Sequence, residues 1–315
     1  MPFPNRRTVM WESTHPEYIW LDGKLIPWDQ ATIHVTHGHI FAHSIFEGIR
    51  AYWNPDQEKL RIFRLDAHLE RLYRSIKIMR METPLSLSDL KKGSIEVARA
   101  NNYREDIYVF PTVVFAPTTP LSRMLGPASV YVNTFPHASQ LDRKTGAKTC
   151  VSSWTRITDN MLPARVKCWA NYRNSAIAWT DATLAGYDEA IMLNTRSKVC
   201  EGPGACVMMI QDGELITPSV TSDILVSVTR ATILQIGREV LGLNVVEREI
   251  DRTELYTADE MFFCGTGAEV KPIASIDHYT IGNGEIGPLT QAFRKAYHDV
   301  LLGIDTRYPE WRTEV

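Results

Sequence analysis

The chain reads Leu162-Pro163-Ala164-Arg165-Val166-Lys167-Cys168-Trp169-Ala170-Asn171-Tyr172, and places Lys167 between two apolar neighbours. Glu201 follows in the stretch Val199-Cys200-Glu201-Gly202-Pro203-Gly204. Burial disfavours the charged form of a lysine, so a lysine in such surroundings can lose its proton at moderate cost. The neutral amine is then a nucleophile that can form a Schiff base with an aldehyde. A lone lysine is more often a solvated surface residue, so the rest of the chain must decide between the two interpretations.

The composition indicates a globular protein with room for two ordinary domains. The chain has 315 residues, of which 44% are hydrophobic and 23% charged, and its formal net charge is -3. Acidic and basic residues are intermixed, which favours neither a nucleic-acid groove nor a membrane-binding patch. No apolar run approaches the roughly 18 residues of a membrane span, and the N-terminus lacks the apolar stretch of a signal peptide. The five cysteines show no CxxC spacing, which predicts reduced thiols in a cytoplasmic protein.

Hydrophobic periodicity predicts a mixed α/β fold in both halves of the chain. Hairpins are expected at 18–26 and 206–217, each around an Asp-Gly turn. Helices are expected from Asp66, which would be an N-cap, from Ser86 to Asn101, and at 171–184, 228–241 and 288–302. A strand is expected at 107–110. The polar segment 139–147 predicts a linker between a small N-terminal α/β domain, 1–138, and a large C-terminal domain, 148–315.

Two segments have the character of a phosphate-binding cradle, which needs backbone N–H groups and hydroxyls, commonly at a helix N-terminus. Ser227-Val228-Thr229-Arg230 opens a predicted helix, and Gly265-Thr266-Gly267 follows a predicted strand with small residues. Arg71 could add a fixed positive charge. Each feature has a simpler interpretation, because a threonine at a helix start is usually a cap and an arginine usually lies on a solvated helix face.

Four histidines, His34, His37, His39 and His43, have a spacing that could suggest a metal site. Neither an acidic residue nor a cysteine lies near them in sequence. Ordinary polar packing is therefore the better interpretation, and we predict no metal site.

The pieces described so far occur in an order that resembles the class IV aminotransferases, the fold-type IV enzymes that use pyridoxal 5'-phosphate, and among them the branched-chain aminotransferases. The resemblance extends from Tyr18-Ile19-Trp20 to the final helix. Its matching stretches are 44–50 (Ser-Ile-Phe-Glu-Gly-Ile-Arg), 63–72, 151–154, Lys167 with Asn171-Tyr172, 186–190, 201–204, Thr229-Arg230, 258–260 and 265–269. The resemblance implies a two-domain fold of the D-amino acid aminotransferase type, and a homodimer with its site near the subunit interface.

The resemblance also implies roles for individual residues. Lys167 would be the Schiff-base lysine and the proton shuttle, Tyr172 the hydrogen-bond donor to the cofactor's phenolate oxygen, and Glu201 the partner of its pyridine nitrogen. A carboxylate in that place makes the cofactor an electron sink. The positions that match phosphate-binding residues are Arg71, Val228, Thr229 and Thr266, and Leu225 matches a leucine that packs against the cofactor ring.

The substrate pocket departs from the branched-chain pattern. Where that family has a Tyr-x-Arg pair, this chain has Tyr108-Val109-Phe110. Phe41 replaces a tyrosine ahead of the motif that contains Phe46, and Gly267 stands before Ala268 where alanine is usual. Losing a cation for a carboxylate should weaken binding of glutamate unless another arginine, Arg50 or Arg123, replaces it. An apolar Phe110 instead suits a donor without a second charge, including an (R)-amine.

The sequence therefore predicts a transaminase that moves an amino group between an apolar amino acid or (R)-amine and a 2-keto acid. Two enzymatic alternatives share the cofactor-binding half, a D-amino acid transaminase and an aminodeoxychorismate lyase. The longer N-terminal domain and the Phe-Glu-Gly-Ile-Arg motif argue against both. A non-catalytic cofactor-binding protein is a third alternative, and the joint presence of Lys167, Tyr172 and Glu201 argues against it.

Overall fold

A computed structural model describes residues 15–117 and 125–315 of the chain. Its α-helices lie in both halves of the sequence. They are α1 (Leu65–Ile78), α2 (Leu87–Ala100), α3 (Trp169–Leu184), α4 (Val228–Glu239) and α5 (Pro288–Leu302). Within the described residues, no helix combines the length and the apolar character needed to cross a lipid bilayer.

The β-strands are mostly short and fall into two sheets. They are β1 (Tyr18–Leu21), β2 (Lys24–Pro27), β3 (Ile45–Phe46), β4 (Ile49–Asn54), β5 (Lys59–Phe63), β6 (Met81–Glu82), β7 (Ile107–Phe115), β8 (Gly126–Pro136), β9 (Ala147–Val151), β10 (Glu189–Ile191), β11 (Cys206–Gln211), β12 (Glu214–Thr217), β13 (Val245–Glu247), β14 (Glu260–Gly265), β15 (Glu269–Ile276), β16 (Tyr279–Thr280) and β17 (Arg312–Glu314).

The contacts between Cα atoms divide the chain into two compact units. Of the described residues, unit 1 contains 15–41, 46–117, 125–138 and 312–315, and unit 2 contains 42–45 and 139–311. This division differs from the boundaries expected from sequence at the C-terminus, because β17 pairs with β5 and so belongs to unit 1. It also assigns the expected linker, 139–147, to unit 2, where Ser139 Oγ donates a hydrogen bond to Glu269 (2.8 Å).

Unit 1 is built on an antiparallel sheet with the strand order β17-β5-β4-β7-β8-β1-β2. The long pair β7 and β8 lies at its centre, in register from Ile107 opposite Pro136 to Phe115 opposite Ala128. Helix α2 approaches this sheet closely, because the Trp20 ring of β1 lies where a side chain at position 93 would be, and only glycine fits there.

Unit 2 is built on a mixed sheet with the strand order β10-β9-β15-β14-β11-β12-β13. Strands β10, β9 and β15 are parallel neighbours, whereas β15, β14, β11 and β12 are antiparallel neighbours. Strand β14 is buried along its whole length, and its Phe262 ring packs against Phe293 of α5 with the ring centroids 5.3 Å apart. Strand β14 ends at Gly265, and the turn of residues 266–268 connects it to β15.

Most elements expected from sequence are confirmed to within about two residues at their ends. Both Asp-Gly hairpins form, as β1–β2 and β11–β12, and α2, α3, α4 and α5 lie where periodicity places them. The expected strand at 107–110 is longer, because the apolar run continues to Phe115. The expected N-cap at Asp66 is wrong. Arg64 occupies that position in a left-handed conformation (φ 58°), and Asp66 instead pairs with Lys91 of α2 at 2.8 Å.

A buried charge network joins α1 to the segment between β3 and β4. Glu47 is fully buried, and its carboxylate accepts hydrogen bonds from Nε and Nη2 of Arg71, each at 2.7 Å. His68 Nδ1 lies 2.7 Å from the same carboxylate. Burial raises the pKa of Glu47, but attraction to Arg71 and the hydrogen bond with His68 outweigh it and lower the pKa from 4.5 to about 2.

The cap of α2 gives a first prediction. The Ser86 side chain accepts a hydrogen bond from the Asp89 amide at 3.2 Å, and the Asp89 carboxylate accepts one from the Ser86 amide at 2.8 Å. Replacing Ser86 with alanine should lower the free energy of unfolding by about 1 kcal/mol. The control is Asp66→Ala, which removes an exposed ion pair and should cost about 0.5 kcal/mol or less. Urea unfolding followed by circular dichroism measures both, and a larger loss for Asp66→Ala would contradict the capping assignment.

The network around Glu47 gives a second prediction, on acid stability. A carboxyl group whose pKa falls on folding contributes stability that is full above its unfolded pKa and is lost as the pH falls through its folded pKa. For a fall from 4.5 to about 2, this contribution is on the order of 3 kcal/mol. Glu47→Gln removes it and leaves Arg71 buried without its carboxylate, so we expect a loss of about 3–5 kcal/mol at neutral pH.

The loss caused by Glu47→Gln should shrink as the pH is lowered from neutral to about 3, because wild-type Glu47 then begins to lose its own contribution. Urea unfolding at several pH values measures it. The matched control is Glu70→Gln on the exposed face of α1, whose carboxylate pairs with Arg74 only at 3.4 Å and should contribute little. An equal loss for Glu47→Gln at every pH would contradict the assignment.

Candidate active site

Hydrogen bonds made by the first turn of α3 hold the loop that contains Lys167 in place. The Asn171 side-chain amide donates hydrogen bonds to the carbonyl oxygens of Pro163 (3.0 Å) and Val166 (2.9 Å), which lie before the lysine in sequence. The Trp169 amide donates to the Ser44 carbonyl at 3.1 Å. Asn171 is buried, so its two bonds are shielded from water. The loop therefore presents Lys167, half-buried, in a defined position.

The Lys167 amine donates a hydrogen bond to the hydroxyl of Tyr172. The two residues are five positions apart, with Tyr172 in the first helical turns of α3. Nζ also lies 4.8 Å from the centroid of the Tyr172 ring. The structure thus brings together the lysine and the tyrosine that the sequence analysis singled out, and it gives the amine a hydroxyl neighbour.

Glu201 lies in a buried position beside the start of β11, where it forms an isolated bridge with Cys206. It is 5% exposed. One carboxylate oxygen lies 2.8 Å from Arg156 Nη2, and the other accepts a hydrogen bond from the Leu225 amide at 3.1 Å. Burial raises the pKa of Glu201 above 4.5, while Arg156, the Leu225 amide and Lys167 act to lower it. Lys167 is therefore close enough to Glu201 to act on its charge.

Arg156 was missed by the sequence analysis. It lies two residues beyond the stretch 151–154 that carried the resemblance. Its Nη1 donates a hydrogen bond to Ser175 of α3 at 3.1 Å, and its backbone amide donates to the Leu193 carbonyl at 2.8 Å. An arginine in a segment without hydrophobic periodicity is expected to be exposed to solvent. Its burial therefore becomes visible only in the folded structure.

Two glycines, Gly202 and Gly265, allow close packing between β14 and the segment that follows Glu201. A Cβ at position 202 would lie 2.8 Å from the Phe263 ring of β14, and one at position 265 would lie 3.2 Å from the Gly204 carbonyl. These distances are shorter than ordinary contacts, so larger residues would displace the strands that frame Glu201.

The N-terminus of α4 forms the second part of the site. Ser227 is the N-cap, and its hydroxyl accepts a hydrogen bond from the Arg230 amide at 3.1 Å. Thr229 is therefore not the cap, and its hydroxyl oxygen lies 3.5 Å from that of Thr266. Val228 and Thr229 begin the helix, where N–H groups lack partners within the helix and the helix dipole is positive. Two hydroxyls from different elements thus meet at a helix end of the kind that binds oxyanions.

Thr266, Gly267 and Ala268 form the turn between β14 and β15 and are half-buried. Leu225, which precedes α4, is also half-buried, and its carbonyl oxygen lies 3.9 Å from the Cys206 sulfur. Its amide, as described, binds Glu201. Leu225, Val228 and Thr229 thus lie on the approach to α4 and its first turn, and Thr266, Gly267 and Ala268 follow β14, with the two segments brought together at the Thr229 and Thr266 hydroxyls.

This donor set fits the chemical groups of pyridoxal phosphate. An amine, a phenol and a buried carboxylate match its aldehyde, its phenolate oxygen and its pyridine nitrogen. The paired threonine hydroxyls and the helix N-terminus match its phosphate. A buried carboxylate that keeps a positively charged neighbour is also the kind of group that can hold a protonated ring nitrogen.

The remaining sequence-predicted residues that the structure describes lie in unit 1. The Phe46 ring stacks on Phe110 with the centroids 5.0 Å apart. Phe110 also contacts Phe135 at 6.2 Å, and Phe135 stacks on Tyr108 at 5.5 Å. Tyr108 and Phe110 share one side of β7 because strand side chains alternate. Phe135 was missed by the sequence analysis, since only the pairing of β7 with β8 brings it into this aromatic cluster.

Two arginines of unit 1, Arg50 and Arg71, interact with neighbouring side chains. Arg50 is 1% exposed. Its Nη2 lies 3.5 Å from the Asp106 carboxylate, and its Cζ lies 5.0 Å from the Tyr52 ring centroid. These contacts make Arg50 a weak candidate for binding a substrate carboxylate. Arg71 binds Glu47 as described above. Arg123, the other candidate, lies outside the described residues.

Phe41 and three of the four histidines lie in the 3-10 helix Val35–His43, and His34 precedes it. His34 Nδ1 lies 2.7 Å from the Thr36 hydroxyl. Across the described residues, no group of three or more His, Cys, Asp or Glu side chains could hold a metal ion.

Comparison with known proteins is consistent with this geometry. The family model of the amino-transferase class IV matches residues 44–276. The probable branched-chain-amino-acid aminotransferase of Aquifex aeolicus is 39% identical over 97% of this chain and 99% of its own length. The branched-chain-amino-acid aminotransferase of Pseudomonas aeruginosa is 39% identical over 94% of this chain and 97% of its own.

Solved structures agree. The branched-chain amino acid aminotransferase from Thermobaculum terrenum, in its form with pyridoxal phosphate, is 42% identical with a TM-score of 0.93, over 95% of this chain and 98% of that one. The family match spans most of the chain and both halves of the expected fold. The chain therefore belongs to the class IV aminotransferases, the fold-type IV transaminases that use pyridoxal phosphate, and within them to the branched-chain aminotransferase family.

Proposed function

We propose that this enzyme transfers an amino group between an apolar amino acid and a 2-keto acid, with Lys167 as its catalytic residue. The observation that carries the proposal is the assembly of Lys167, Tyr172 and Glu201 in unit 2. The lysine amine bonds to the Tyr172 hydroxyl, and its charge acts on the buried Glu201 carboxylate.

The cofactor, when bound, supplies the electron sink that makes the proton on the substrate's α-carbon removable. Lys167 would provide the amine that holds the cofactor, and once displaced by the substrate amine it would act as the base that accepts the α-carbon proton and as the acid that gives it to the former aldehyde carbon of the cofactor. Tyr172 donates a hydrogen bond to the cofactor's phenolate oxygen. Glu201 keeps the ring nitrogen protonated, which is the condition for a strong electron sink.

The phosphate would be held by the hydroxyls of Thr229 and Thr266 and by the first-turn amides of α4, including that of Val228. Leu225 would pack against the cofactor ring. Arg71 stays a proposed phosphate-binding residue because of the family resemblance, and in unit 1 its guanidinium also donates two hydrogen bonds to Glu47.

The aromatic cluster of Phe46, Tyr108, Phe110 and Phe135 supports a donor without a second charge. Phe110 packs between two other phenylalanine rings, which leaves it no means of binding a carboxylate. We propose Phe41, Gly267 and Ala268 as further substrate-contacting residues. An (R)-selective amine transaminase is the second candidate function, and the apolar character of this cluster is the observation that favours it.

We also propose that the enzyme is a cytoplasmic homodimer of two-domain subunits, with domains 1–138 and 148–315 joined by 139–147, except that β17 belongs with the N-terminal domain through its pairing with β5. All five cysteines are free thiols, which suits a reducing compartment. Helix α3 supports association between copies, because Trp169, Trp179 and Leu184 are 42%, 49% and 82% exposed.

Lys167→Ala should abolish turnover, with a loss of at least about a thousandfold in kcat, because the residue that binds the cofactor and moves the proton is gone. A coupled assay of keto acid formation measures it. The matched control is Lys198→Ala, which removes an ion pair with Asp251 away from the site and should leave kcat nearly unchanged. Full activity in Lys167→Ala would refute the role of this lysine.

The choice of donor can be read from the loss of the yellow colour of the holoenzyme when one donor is added without an acceptor. We expect reaction with L-leucine or with (R)-1-phenylethylamine. L-glutamate should react about 10–100-fold more slowly, the cost of a missing charge-assisted hydrogen bond. Equally fast reaction with L-glutamate would contradict the apolar pocket. A fast reaction with D-alanine, or pyruvate release from aminodeoxychorismate without an acceptor, would instead favour one of the two alternative activities.

A further inference from the structure

Arg156 and Glu201 form an ion pair inside unit 2 that is shielded from water on both sides. The two side chains are 6% and 7% exposed, and Arg156 Nη2 lies 2.8 Å from the Glu201 carboxylate. Ser175, itself buried, accepts a hydrogen bond from the other terminal nitrogen of Arg156 at 3.1 Å. The guanidinium is therefore fixed at two points, by the carboxylate and by helix α3.

A carboxylate at this depth needs a partner to stay charged. Burial alone favours its protonated form. The groups that oppose protonation of Glu201 are Arg156, the Leu225 amide and Lys167, with Arg156 the largest of these opposing influences. Arg156 comes from the loop after β9, Leu225 from the approach to α4, and Lys167 from the loop before α3, so three separate segments favour the charged form of the carboxylate.

The other titratable neighbour is Cys200, which precedes Glu201 in sequence. Burial, followed by the negative charges of Glu201 and Asp223, raises the pKa of the Cys200 thiol well above its ordinary value. The thiol stays neutral over the working range and does not compete with Arg156. The charge state of Glu201 therefore depends mainly on burial and on the arginine.

We propose that Arg156 is a positioning residue that keeps Glu201 charged and fixes one of its two carboxylate oxygens, with Ser175 holding Arg156 in place. The inference rests on the proposed role of Glu201 as the partner of the cofactor's ring nitrogen. A charged Glu201 stabilises a protonated ring nitrogen, whereas a neutral one does not. Arg156 would act only through the carboxylate that it binds.

The proposal predicts a change in pH dependence and not only a loss of rate. Without Arg156, the pKa of Glu201 rises further, because burial is then opposed by fewer groups. As the pH falls, Glu201 in Arg156→Gln becomes protonated at a higher pH than in the wild type. Affinity for pyridoxal phosphate and kcat/KM should therefore begin to fall at a pH about one unit higher or more.

The experiment measures, on the holoenzyme across a range of pH, the dissociation constant of pyridoxal phosphate and the kcat/KM of amino transfer. Arg156→Gln should shift the acidic limb of both profiles upward by about one pH unit. Arg156→Lys keeps the charge but loses the planar fork, so its shift should be smaller. Ser175→Ala, a mild change that keeps the arginine, should give a shift in the same direction and covers the case in which Arg156→Gln does not fold.

The matched control is Arg165→Gln. Arg165 lies close to Lys167 in sequence. Its exposed side chain pairs with Asp159 at 3.1 Å and not with Glu201. Its pH profiles should match those of the wild type. In a Glu201→Gln background, Arg156→Gln should add no further shift, because the group that titrates is gone.

A uniform loss of activity in Arg156→Gln and Ser175→Ala, with unmoved acidic limbs, would overturn the proposal and leave Arg156 a purely structural residue. A wild-type chain that binds pyridoxal phosphate but transfers no amino group would contradict the proposed function alone. The pH dependence of the dissociation constant would then still decide the role of Arg156.

Discussion

The structure depends on keeping carboxylates charged where water is excluded. Glu201 is the clearest case, because the proposed chemistry needs an anion at a place where burial favours the neutral acid. Arg156 and a backbone amide supply the compensation. Ser175 of α3 in turn accepts a hydrogen bond from Arg156. Helix α3, the loop that contains Arg156 and the segment that contains Glu201 are therefore linked through one buried carboxylate. A site built in this way is positioned before any ligand binds, which spares the reaction the cost of reorganisation.

Unit 1 contains a second buried carboxylate, Glu47, whose charge is stabilised by different partners. Glu47 is buried as deeply as Glu201, yet its pKa is lowered to about 2, whereas that of Glu201 is raised. Burial raises both values. The difference lies in the partners, since Glu47 receives two bonds from one guanidinium and a third contact from His68, whereas Glu201 receives one from Arg156 and one from a backbone amide. Glu47 is therefore a fixed structural anion that joins α1 to the sheet. Glu201 has fewer compensating partners, so burial raises its pKa, and in the proposed function the protonated ring nitrogen of the cofactor would be a further partner that favours its charged form.

The aromatic cluster of unit 1 supports the proposed preference for an apolar donor. Tyr108 and Phe110 face the same side of β7, and β8 adds Phe135 from the opposite strand. A cation at position 110 would need a partner or water in a place lined by rings. The phenylalanine removes that need and favours substrates with a single charge.

Several elements could be predicted from the sequence because their causes are local. The Asp-Gly turns, the Ser86 cap and the periodic helices depend on residues a few positions apart, and Lys167, Tyr172 and Glu201 stand in motifs that are recognisable in order. The expectation that Asp66 is an N-cap also rested on local sequence. In the structure, Arg64 is the N-cap in a left-handed conformation, and Asp66 forms an ion pair with Lys91 of α2.

What only the tertiary structure decided was which residues meet across long stretches of chain. The pairing of Arg156 with Glu201 spans a loop and a strand, and the packing of Phe135 on Phe110 depends on the register of β7 with β8. The sequence by itself determined the elements and the motif residues, because these follow from local periodicity and composition. Burial and partnership, which set the charge of Glu201 and the character of the aromatic cluster, arise only when distant segments exclude water together.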